Sequence, residues 1–299
     1  MASSRPRVGY LGPEGTFSEE ALLGSAVAEA IEPIPLGSIG ETVTALREGE
    51  VGFSIVPIEN SLEGSIGVTL DLLVSEPRDV EIVGEALLRV SHSLIASGPV
   101  ELEQIDTVIT HPQVPGQCAS FLRSELARAR VLPSSSTAEA VRSVVAAGEP
   151  SSVAIGTLLA AQIYGGTVIR EGIEDRGDNE TRFVWLGRAD GAGGAGAPPL
   201  RVQAGGESKT SLVFWGPGAD SPGWLLRCLD EFARRGINLT KIESRTRRER
   251  LGSYMFFVDL EGHVADGAVG DAVGGLSSLC QEVRVLGSYP AAAPAARTP

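Results

Sequence analysis

The sequence has few of the residues that build metal sites and disulfide frameworks. Among its 299 residues there are three cysteines and three histidines. The cysteines Cys118, Cys228 and Cys280 are odd in number, far apart and form no CxxC pair. The histidines are equally scattered and form no HExxH-type set. Neither a disulfide framework nor a metal site is therefore predicted.

Positive charge and long apolar runs are also scarce. The chain has 25 Lys and Arg against 38 Asp and Glu, a formal net charge of −13. This balance excludes nucleic acid as an expected partner. No run approaches the roughly 18 apolar residues that span a bilayer, and residues 1–7 lack the apolar region of a signal peptide. We expect no membrane partner and a cytoplasmic location.

Strands and helices of moderate length alternate along the first two thirds of the chain. A short strand at residues 7–11 leads through a Gly-Pro loop into a helix that begins at Thr16, three residues before Glu19. The same capping-box spacing recurs at Ser38 and at Ser136. This order predicts an α/β fold with a largely parallel sheet. Two long extended segments, residues 81–96 and 168–187, are interpreted as crossings between two lobes that enclose a cleft.

Uncharged hydrogen-bonding side chains follow the predicted strands. In open α/β sheets, ligands bind outside the carboxyl ends of the strands, and helix N-termini there favour anions. Each residue alone could simply cap a helix, but together they indicate a carboxylate-binding cleft. They are Thr16, Ser18, Asn60, Ser61, His111, Gln113, Ser136, Thr137 and Thr157.

A crowded polar segment at residues 176–182 precedes the apolar strand that continues to residue 187. Polar groups at a strand end cost desolvation unless something binds there. Thr181 offers a neutral hydroxyl, Arg182 a fixed cation and Phe183 an apolar wall. Together they predict a site for an anionic, partly apolar small molecule, and the alternative is a turn followed by a solvated strand end.

The composition changes after residue 188. Residues 189–207 are rich in Gly, Ala and Pro and are predicted to be a flexible linker. The pattern of residues 208–290 predicts a βαββαβ order, that of a small ferredoxin-like domain. Residues 291–299 are predicted to be a disordered tail.

Six strings of this sequence, in order, resemble the prephenate dehydratase family. They are GYLGPEGTFS (9–18), VPIENSLEGS (56–65), HPQVPGQC (111–118), STAEA (136–140), DNETRF (178–183) and the stretch from KTSLVF to FFVDLEGH within 209–263. The resemblance implies a catalytic region at 6–188 with two lobes, similar to a periplasmic binding protein. Lobe 1 would comprise residues 6–85 and 170–188, and lobe 2 residues 86–169. Residues 208–290 would be an ACT regulatory domain.

The implied reaction converts prephenate to phenylpyruvate, CO₂ and water, with neither a metal nor an organic cofactor. By resemblance, Thr181 would hydrogen-bond the leaving hydroxyl, Arg182 would hold a carboxylate and Phe183 would pack the ring. The implied substrate-binding residues are Thr16, Ser18, Asn60, Ser61, His111, Gln117, Ser136 and Thr137. For His111, a structural role at a strand end stays an open alternative.

Phenylalanine is the implied effector, bound where ACT domains pair in a homodimer or homotetramer. The implied effector residues are Gly223, Trp224, Leu225, Leu226, Glu243, Ser244 and Arg245. The family has Ala where this chain has Trp224, and Pro where it has Thr246. The larger indole is predicted to occupy part of the effector pocket and to weaken inhibition.

Three other functions stay open at this point. The chain could dehydrate arogenate, decarboxylate prephenate without dehydrating it, or sense an amino acid or carboxylate without catalysis. Relatives that only decarboxylate usually lack the second domain, and the intact Thr181-Arg182-Phe183 string disfavours a sensor. Dehydration of prephenate in phenylalanine biosynthesis is the predicted function.

Overall fold

The structure is a computed structural model that describes residues 5–27, 30–75, 77–189, 198–201, 207–217, 221–247 and 252–292. The predicted α/β class is confirmed within these ranges. The helices are α1 (Phe17–Ser25), α2 (Ile39–Arg47), α3 (Gly67–Val74), α4 (Val114–Gln117), α5 (Ala119–Glu125), α6 (Thr137–Ala147), α7 (Leu158–Tyr164), α8 (Trp224–Ala233) and α9 (Gly267–Leu279). The strands are β1 (Arg7–Leu11), β2 (Glu32–Leu36), β3 (Phe53–Asn60), β4 (Gly64–Ser65), β5 (Val80–Arg89), β6 (Ser93–Ala96), β7 (Thr107–Thr110), β8 (Arg130–Pro133), β9 (Ser152–Gly156), β10 (Thr167–Arg170), β11 (Glu180–Arg188), β12 (Ser208–Trp215), β13 (Leu239–Thr246), β14 (Tyr254–Glu261) and β15 (Glu282–Pro290).

The first sheet, in lobe 1, has the order β2-β1-β3-β11-β5, with β4 paired to β3. Strands β1, β2 and β3 are parallel, as the alternation of strands and helices predicts. Strand β11 is antiparallel to both β3 and β5. The sheet is therefore mixed, because β11 returns to it from the second lobe rather than through a right-handed crossover helix.

The second sheet, in lobe 2, has the order β10-β6-β9-β7-β8. Residues 90–92 lead into this lobe from β5, and residues 171–179 lead back to β11. The predicted crossings contain these short connections, but most of each predicted segment is strand. Strand β5 stays in the first sheet as far as Arg89, which pairs with Glu180.

The third sheet has the order β13-β14-β12-β15, and α8 and α9 cover one of its faces. The sequence of elements is the predicted βαββαβ. Helix α8 buries Trp224, Cys228 and Phe232 against this face because they recur at helical spacing. The core that they form includes Leu212 and Phe214 of β12.

The opposite face of the third sheet packs on lobe 1. One hydrophobic core combines Ile58 and Val184 of lobe 1 with Val213 and Phe257 of the third sheet. A Cβ atom at Gly287 would collide with the carbonyl oxygen of Ile82, so glycine permits the close approach of β15 to β5. Burial of each large apolar side chain contributes ~1.5–3 kcal/mol, so this interface fixes the regulatory sheet on the catalytic lobe.

The predicted linker falls largely on residues 190–197 and 202–206, which lie outside the described residues. Residues 198–201 are packed against lobe 1 rather than free. The Val27 N–H donates to the Pro199 carbonyl (3.0 Å), and the Arg201 N–H donates to the Ser25 carbonyl (2.8 Å). Leu200 contacts the core beneath α1. Of the predicted tail, residues 293–299 also lie outside the described part, and Ala292 donates its N–H to Glu85 (2.9 Å).

No helix in the ranges given above is long and apolar enough to cross a membrane. Within the same ranges, no group of three His, Cys, Asp or Glu side chains is placed to hold a metal ion.

Candidate active site

A cavity of about 1040 Å³ lies between the two lobes. Its walls come from strand ends and helix N-termini of both lobes, as the fold class predicts for an α/β ligand site. Nine of the residues predicted for the site line it: Thr16, Ser18, Asn60, His111, Gln113, Gln117, Ser136, Thr137 and Thr181. The structure thus brings together residues that are up to 165 positions apart in the chain.

Two helix N-termini face the cavity from opposite lobes. Thr16 caps α1 by accepting the Glu19 N–H (3.4 Å), and Ser136 caps α6 by accepting the Glu139 N–H (3.0 Å). Capping and cavity lining are therefore compatible roles of the same two residues. The remaining N–H groups of each first turn, with the helix dipole, favour an anion in the cavity.

Neighbouring backbone N–H groups fix the orientation of the Asn60 side-chain amide. Its Oδ1 accepts the N–H groups of Leu62 and Glu63, each at 2.9 Å. The Asn60 Nδ2 must then point the other way, and it donates to Thr181 Oγ1 (2.9 Å) and to Asn179 Oδ1 (2.8 Å). Because backbone N–H groups can only donate, the direction of these side-chain hydrogen bonds is determined.

The same polarity continues across the gap between the lobes. Asn179 donates from Nδ2 to Gln117 Oε1 (3.2 Å), and His92 Nε2 lies 2.9 Å from the same oxygen. His92 therefore carries its proton on Nε2, where it donates to Gln117. The His92 Nδ1 is buried and has no partner among the described residues. Burial lowers the pKa of His92, so the ring is neutral near pH 7.

The Thr181 hydroxyl is left as a donor by this arrangement. Its oxygen accepts from Asn60, and no acceptor for its own proton is found in the described part of the chain. Thr181 is buried but lines the cavity. A molecule bound in the cavity can therefore receive a hydrogen bond from Thr181, and the Asn60 amide strengthens that bond by cooperative polarisation.

The cavity carries little positive charge. Arg142 is the one Lys or Arg among its described lining residues, and it is paired with Glu139 at 2.7 Å. Glu14 and Glu63 add negative charge. An anion in this cavity must therefore be bound mainly by hydrogen bonds from helix termini and neutral side chains.

Among the lining residues that the sequence analysis did not predict are His92, Asn179 and Arg142. His92 lies in the short connection between the lobes. The predicted crossing at residues 81–96 contains it and could have indicated that it lies near the cleft. Asn179 stands inside the DNETRF string, two residues before Thr181. Arg142 lies six residues along the chain from the capping Ser136, on α6, and no sequence signal pointed to it.

Arg182 does not lie where the sequence predicts. The prediction places it in the cleft, holding a carboxylate, but it is absent from the cavity wall. Side chains alternate along a strand, so Thr181 and Arg182 point to opposite faces of the sheet. The guanidinium, 6% exposed, pairs instead with Glu59, Glu85 and Asp259 at 3.3, 3.1 and 2.6 Å.

Phe183 and Ser61 also lie elsewhere than predicted. Phe183 is 2% exposed and packs in the core with Tyr10 and Leu22, because that core lies behind the strand end. Ser61 is exposed and outside the cavity wall, and its hydroxyl accepts the N–H of Glu180 (3.0 Å). Its position ties the end of β3 to the start of β11.

Comparison with known proteins gives the family. The family model of prephenate dehydratase matches residues 8–191. A prephenate dehydratase from Mycobacterium sp. (strain KMS) is 38% identical over 305 aligned residues, covering 98% of this chain and 92% of the relative. The chain belongs to the prephenate dehydratase family.

Solved structures match this chain over nearly its whole length. The prephenate dehydratase of Arthrobacter aurescens in complex with L-Phe has a TM-score of 0.83 at 36% identity, covering 95% of this chain and 90% of that chain. GqqA, a quorum quenching acylase, has a TM-score of 0.81 at 26% identity, covering 95% and 98%. The predicted family and lyase class are confirmed. Because an acylase shares the fold, the fold alone does not determine the chemistry, and the residues of the cavity decide it.

In this chain, Trp224 does not have the predicted place. Its indole is 4% exposed, lies between Phe214 and Phe256, and donates from Nε1 to the Leu279 carbonyl (2.8 Å). Helix α8 turns this side chain inward and leaves Leu226 72% exposed. The prediction that Trp224 occupies part of the effector pocket where ACT domains pair is therefore wrong.

Two other predicted effector residues contact lobe 1. On β13, Glu243 accepts a hydrogen bond from Ser65, and Arg245 pairs with Asp71 of α3 at 2.8 Å. Ser244 lies between them and points to the opposite, exposed face because of the strand alternation. This face of β13 is therefore part of the contact between the domains within one chain.

Proposed function

We propose that the cavity between the lobes binds prephenate and that Thr181 donates a hydrogen bond to the departing ring hydroxyl. The products would be phenylpyruvate, CO₂ and water. The observation that carries this proposal is the orientation of the Thr181 hydroxyl, which accepts from Asn60 and is left to donate into the cavity. The family assignment supplies the reaction, and the hydrogen-bond polarity supports the role of the residue.

The two carboxylates of prephenate match the two helix N-termini, of α1 and α6. Each terminus offers backbone N–H groups and a partial positive charge without a full counter-ion. This distinction matters for the carboxylate that leaves as neutral CO₂. A buried arginine would hold that carboxylate more tightly in the bound substrate than in the transition state, and would slow the reaction. The position of Arg182 outside the cavity is consistent with this requirement.

The reaction itself needs no strong acid. Loss of the ring carboxylate and hydroxyl makes the ring aromatic, which provides the driving force. Thr181 would remain un-ionised and stabilise the hydroxide-like leaving group as its bond to carbon stretches, and the departing hydroxide would take a proton from solvent to become water. Asn179, Gln117 and His92 would hold Asn60 in the orientation that directs this hydroxyl, and His111 would contact the substrate.

The test is to identify the products from prephenate and from arogenate side by side. We expect phenylpyruvate from prephenate, and slower turnover of arogenate, which has a cationic amino group in place of the side-chain keto group. Preferential formation of phenylalanine from arogenate would identify an arogenate dehydratase. A non-aromatic product from prephenate would identify a decarboxylase, and absence of turnover with tight binding would identify a sensor.

We also propose that phenylalanine binds the regulatory domain, as the L-Phe complex of the Arthrobacter enzyme suggests. The start of α8, where Gly223 has a left-handed φ of 76° and Leu226 is exposed, would contribute together with Leu225. Exposed Ile242 and Ser244 of β13 would complete the site across a homodimer or homotetramer. Phenylalanine titration with sedimentation measurements would test both parts.

The proposed division of the chain keeps the predicted domains at 6–188 and 208–290. The two sheets of residues 7–188 and the separate four-stranded sheet that begins at β12 support this division. The biosynthetic role of the relatives supports a cytoplasmic location. Limited proteolysis between residues 189 and 207 would test the domain boundary.

A further inference from the structure

The side of the catalytic strands that faces away from the cavity carries a cluster of six charged groups. We call it the interdomain cluster: Arg182, Glu59 and Glu85 from lobe 1, with Asp259, Lys209 and Lys241 from the regulatory domain. Arg182 contacts all three carboxylates. Lys209 contacts Glu85 (2.7 Å), and Lys241 contacts Glu59. At the edge of the cluster, Lys241 also lies 3.7 Å from Glu243, which pairs with Arg245 (3.9 Å).

The charges of the cluster are paired across the two domains. Lobe 1 supplies one cation and two carboxylates, and the regulatory domain supplies two cations and one carboxylate. The sequence contains only two lysines, and both belong to the cluster. A buried charge without its partner is strongly unfavourable, so each half of the cluster requires the other.

Asp259 is the member that reaches Arg182 from the regulatory domain. It is 5% exposed on β14, and its second oxygen accepts a hydrogen bond from Ser211. Ser211 in turn contacts the buried hydroxyl of Tyr289 at 2.6 Å. These contacts hold the carboxylate rigidly on the regulatory sheet.

The cluster and the cavity meet at two consecutive pairs of the β3–β11 ladder. Thr181 pairs with Asn60 and Arg182 pairs with Glu59, and the register shifts immediately after Arg182. The first pair faces the cavity and the second faces the regulatory domain. At a register shift the ladder is locally disrupted, so contacts from behind determine where the neighbouring pair lies.

We propose that Asp259 of the regulatory domain is a positioning residue for Thr181, acting through Arg182. The inference rests on the proposed role of Thr181. It gives the regulatory sheet a direct part in setting the geometry of the active site. A regulatory ligand that shifts this sheet would then change turnover through the same contact.

The test compares two isosteric variants of the full-length protein. Asp259→Asn removes the charge next to Arg182, and we expect kcat to fall about tenfold while KM stays within about twofold. The control, Asp71→Asn, alters the contact of Arg245 at the same interface but away from β11. We expect the control to keep kcat within about twofold of wild type. Asp259→Glu, which keeps a carboxylate, should recover part of the lost kcat.

A double-mutant cycle separates positioning from stability. In an Arg182→Lys background, adding Asp259→Asn should lower kcat by less than about threefold, because the contact between residues 182 and 259 is already altered. If Asp259→Asn does not fold, Ser211→Ala serves instead, since it removes only the hydroxyl that holds Asp259. We expect this milder variant to lower kcat about threefold at unchanged KM.

The proposal is overturned if the folded Asp259→Asn or Ser211→Ala protein keeps wild-type kcat, or if the two effects on kcat are fully additive. Thr181→Ala is assayed in parallel. If Thr181→Ala is inactive while Asp259→Asn is normal, the positioning inference fails and the proposed function stands. If Thr181→Ala retains full activity, the proposed function fails and the positioning inference fails with it.

Discussion

The two faces of strand β11 differ in how they treat charge. Toward the cavity, Thr181 belongs to a network of neutral hydroxyl and amide groups. Toward the regulatory domain, Arg182 belongs to a cluster of three cations and three carboxylates. The residues are adjacent in sequence, and the pleat of the strand alone sends them to opposite environments.

The difference follows from what each face has to do. Neutral donors such as Thr181 can bind the leaving hydroxyl more strongly as negative charge develops on it in the transition state. They do not stabilise the bound substrate to the same extent. A charged cluster gains most when its partners stay fixed and shielded from water. The reacting groups therefore face the neutral side, and the strong charges serve the contact between domains.

The largest expected effect is the loss of stability when Arg182 is removed from the charged face of β11. Arg182→Gln would leave three carboxylates with two lysines in a buried site, and we expect a loss of about 3–5 kcal/mol in the free energy of unfolding. Urea unfolding followed by fluorescence would measure it. For the milder Arg182→Lys, we expect KM within about twofold of wild type, in contrast to a residue that binds substrate. A large rise in KM would place the guanidinium in the substrate site after all.

The neutral face is tested next by Thr181→Ala. Removal of a hydrogen-bond donor that acts in the transition state should lower kcat by ~10²-fold or more, with a smaller change in KM. Thr181→Ser keeps the hydroxyl and should retain most of the activity. If Thr181→Ala kept more than about half of wild-type kcat, the role assigned to the hydroxyl would be wrong.

A sharper test of the neutral face reverses the polarity of its hydrogen bonds. In Asn60→Asp, both side-chain oxygens accept, so the Thr181 proton would turn toward the new carboxylate and away from the substrate. We expect kcat to fall about 10–30-fold. Asn60→Ser, which can still donate, is the control and should lose less. Equal loss in both variants would show that polarity is unimportant.

The smallest effect is expected for the stability contributed by Glu20, a carboxylate whose pKa differs from that of Glu59 in the interdomain cluster. Burial raises the pKa of Glu20, on α1 next to Leu159 of lobe 2, to about 7. Burial also acts on Glu59, but Arg182 and Lys241 hold its pKa below the ordinary value. A raised carboxyl pKa favours the protonated folded state. Its contribution to stability is therefore complete below the ordinary pKa of about 4.5 and is lost as the pH rises through about 7.

We accordingly expect Glu20→Gln to be more stable than wild type by about 1–2 kcal/mol at pH 8, with little difference at pH 5. Denaturant unfolding at both pH values would measure the change. Glu48→Gln, a change at an exposed carboxylate at the end of α2, is a suitable control. If the stability difference between Glu20→Gln and wild type were the same at pH 5 and pH 8, the Glu20 carboxylate would be exposed to water and its pKa would not be raised.

Local patterns in the sequence predicted most of the fold. The capping boxes at Thr16, Ser38 and Ser136 mark the starts of α1, α2 and α6, and each of these hydroxyls accepts the expected N–H. Such caps are predictable because donor and acceptor lie three residues apart. The βαββαβ order was predictable for the same reason, because each element has its own hydrophobic period.

The sequence by itself determined the family, the order of the elements and most of the residues around the cavity. Only the tertiary structure decided which way the neighbouring side chains point. Arg182 went to the regulatory domain and Trp224 to the interior of its own domain, because faces of a strand or helix are assigned by what packs against them. The docking of the third sheet on lobe 1 joins residues far apart in the chain. Short-range sequence patterns carry no information about such a contact, and it is this contact that separates the neutral face from the charged one.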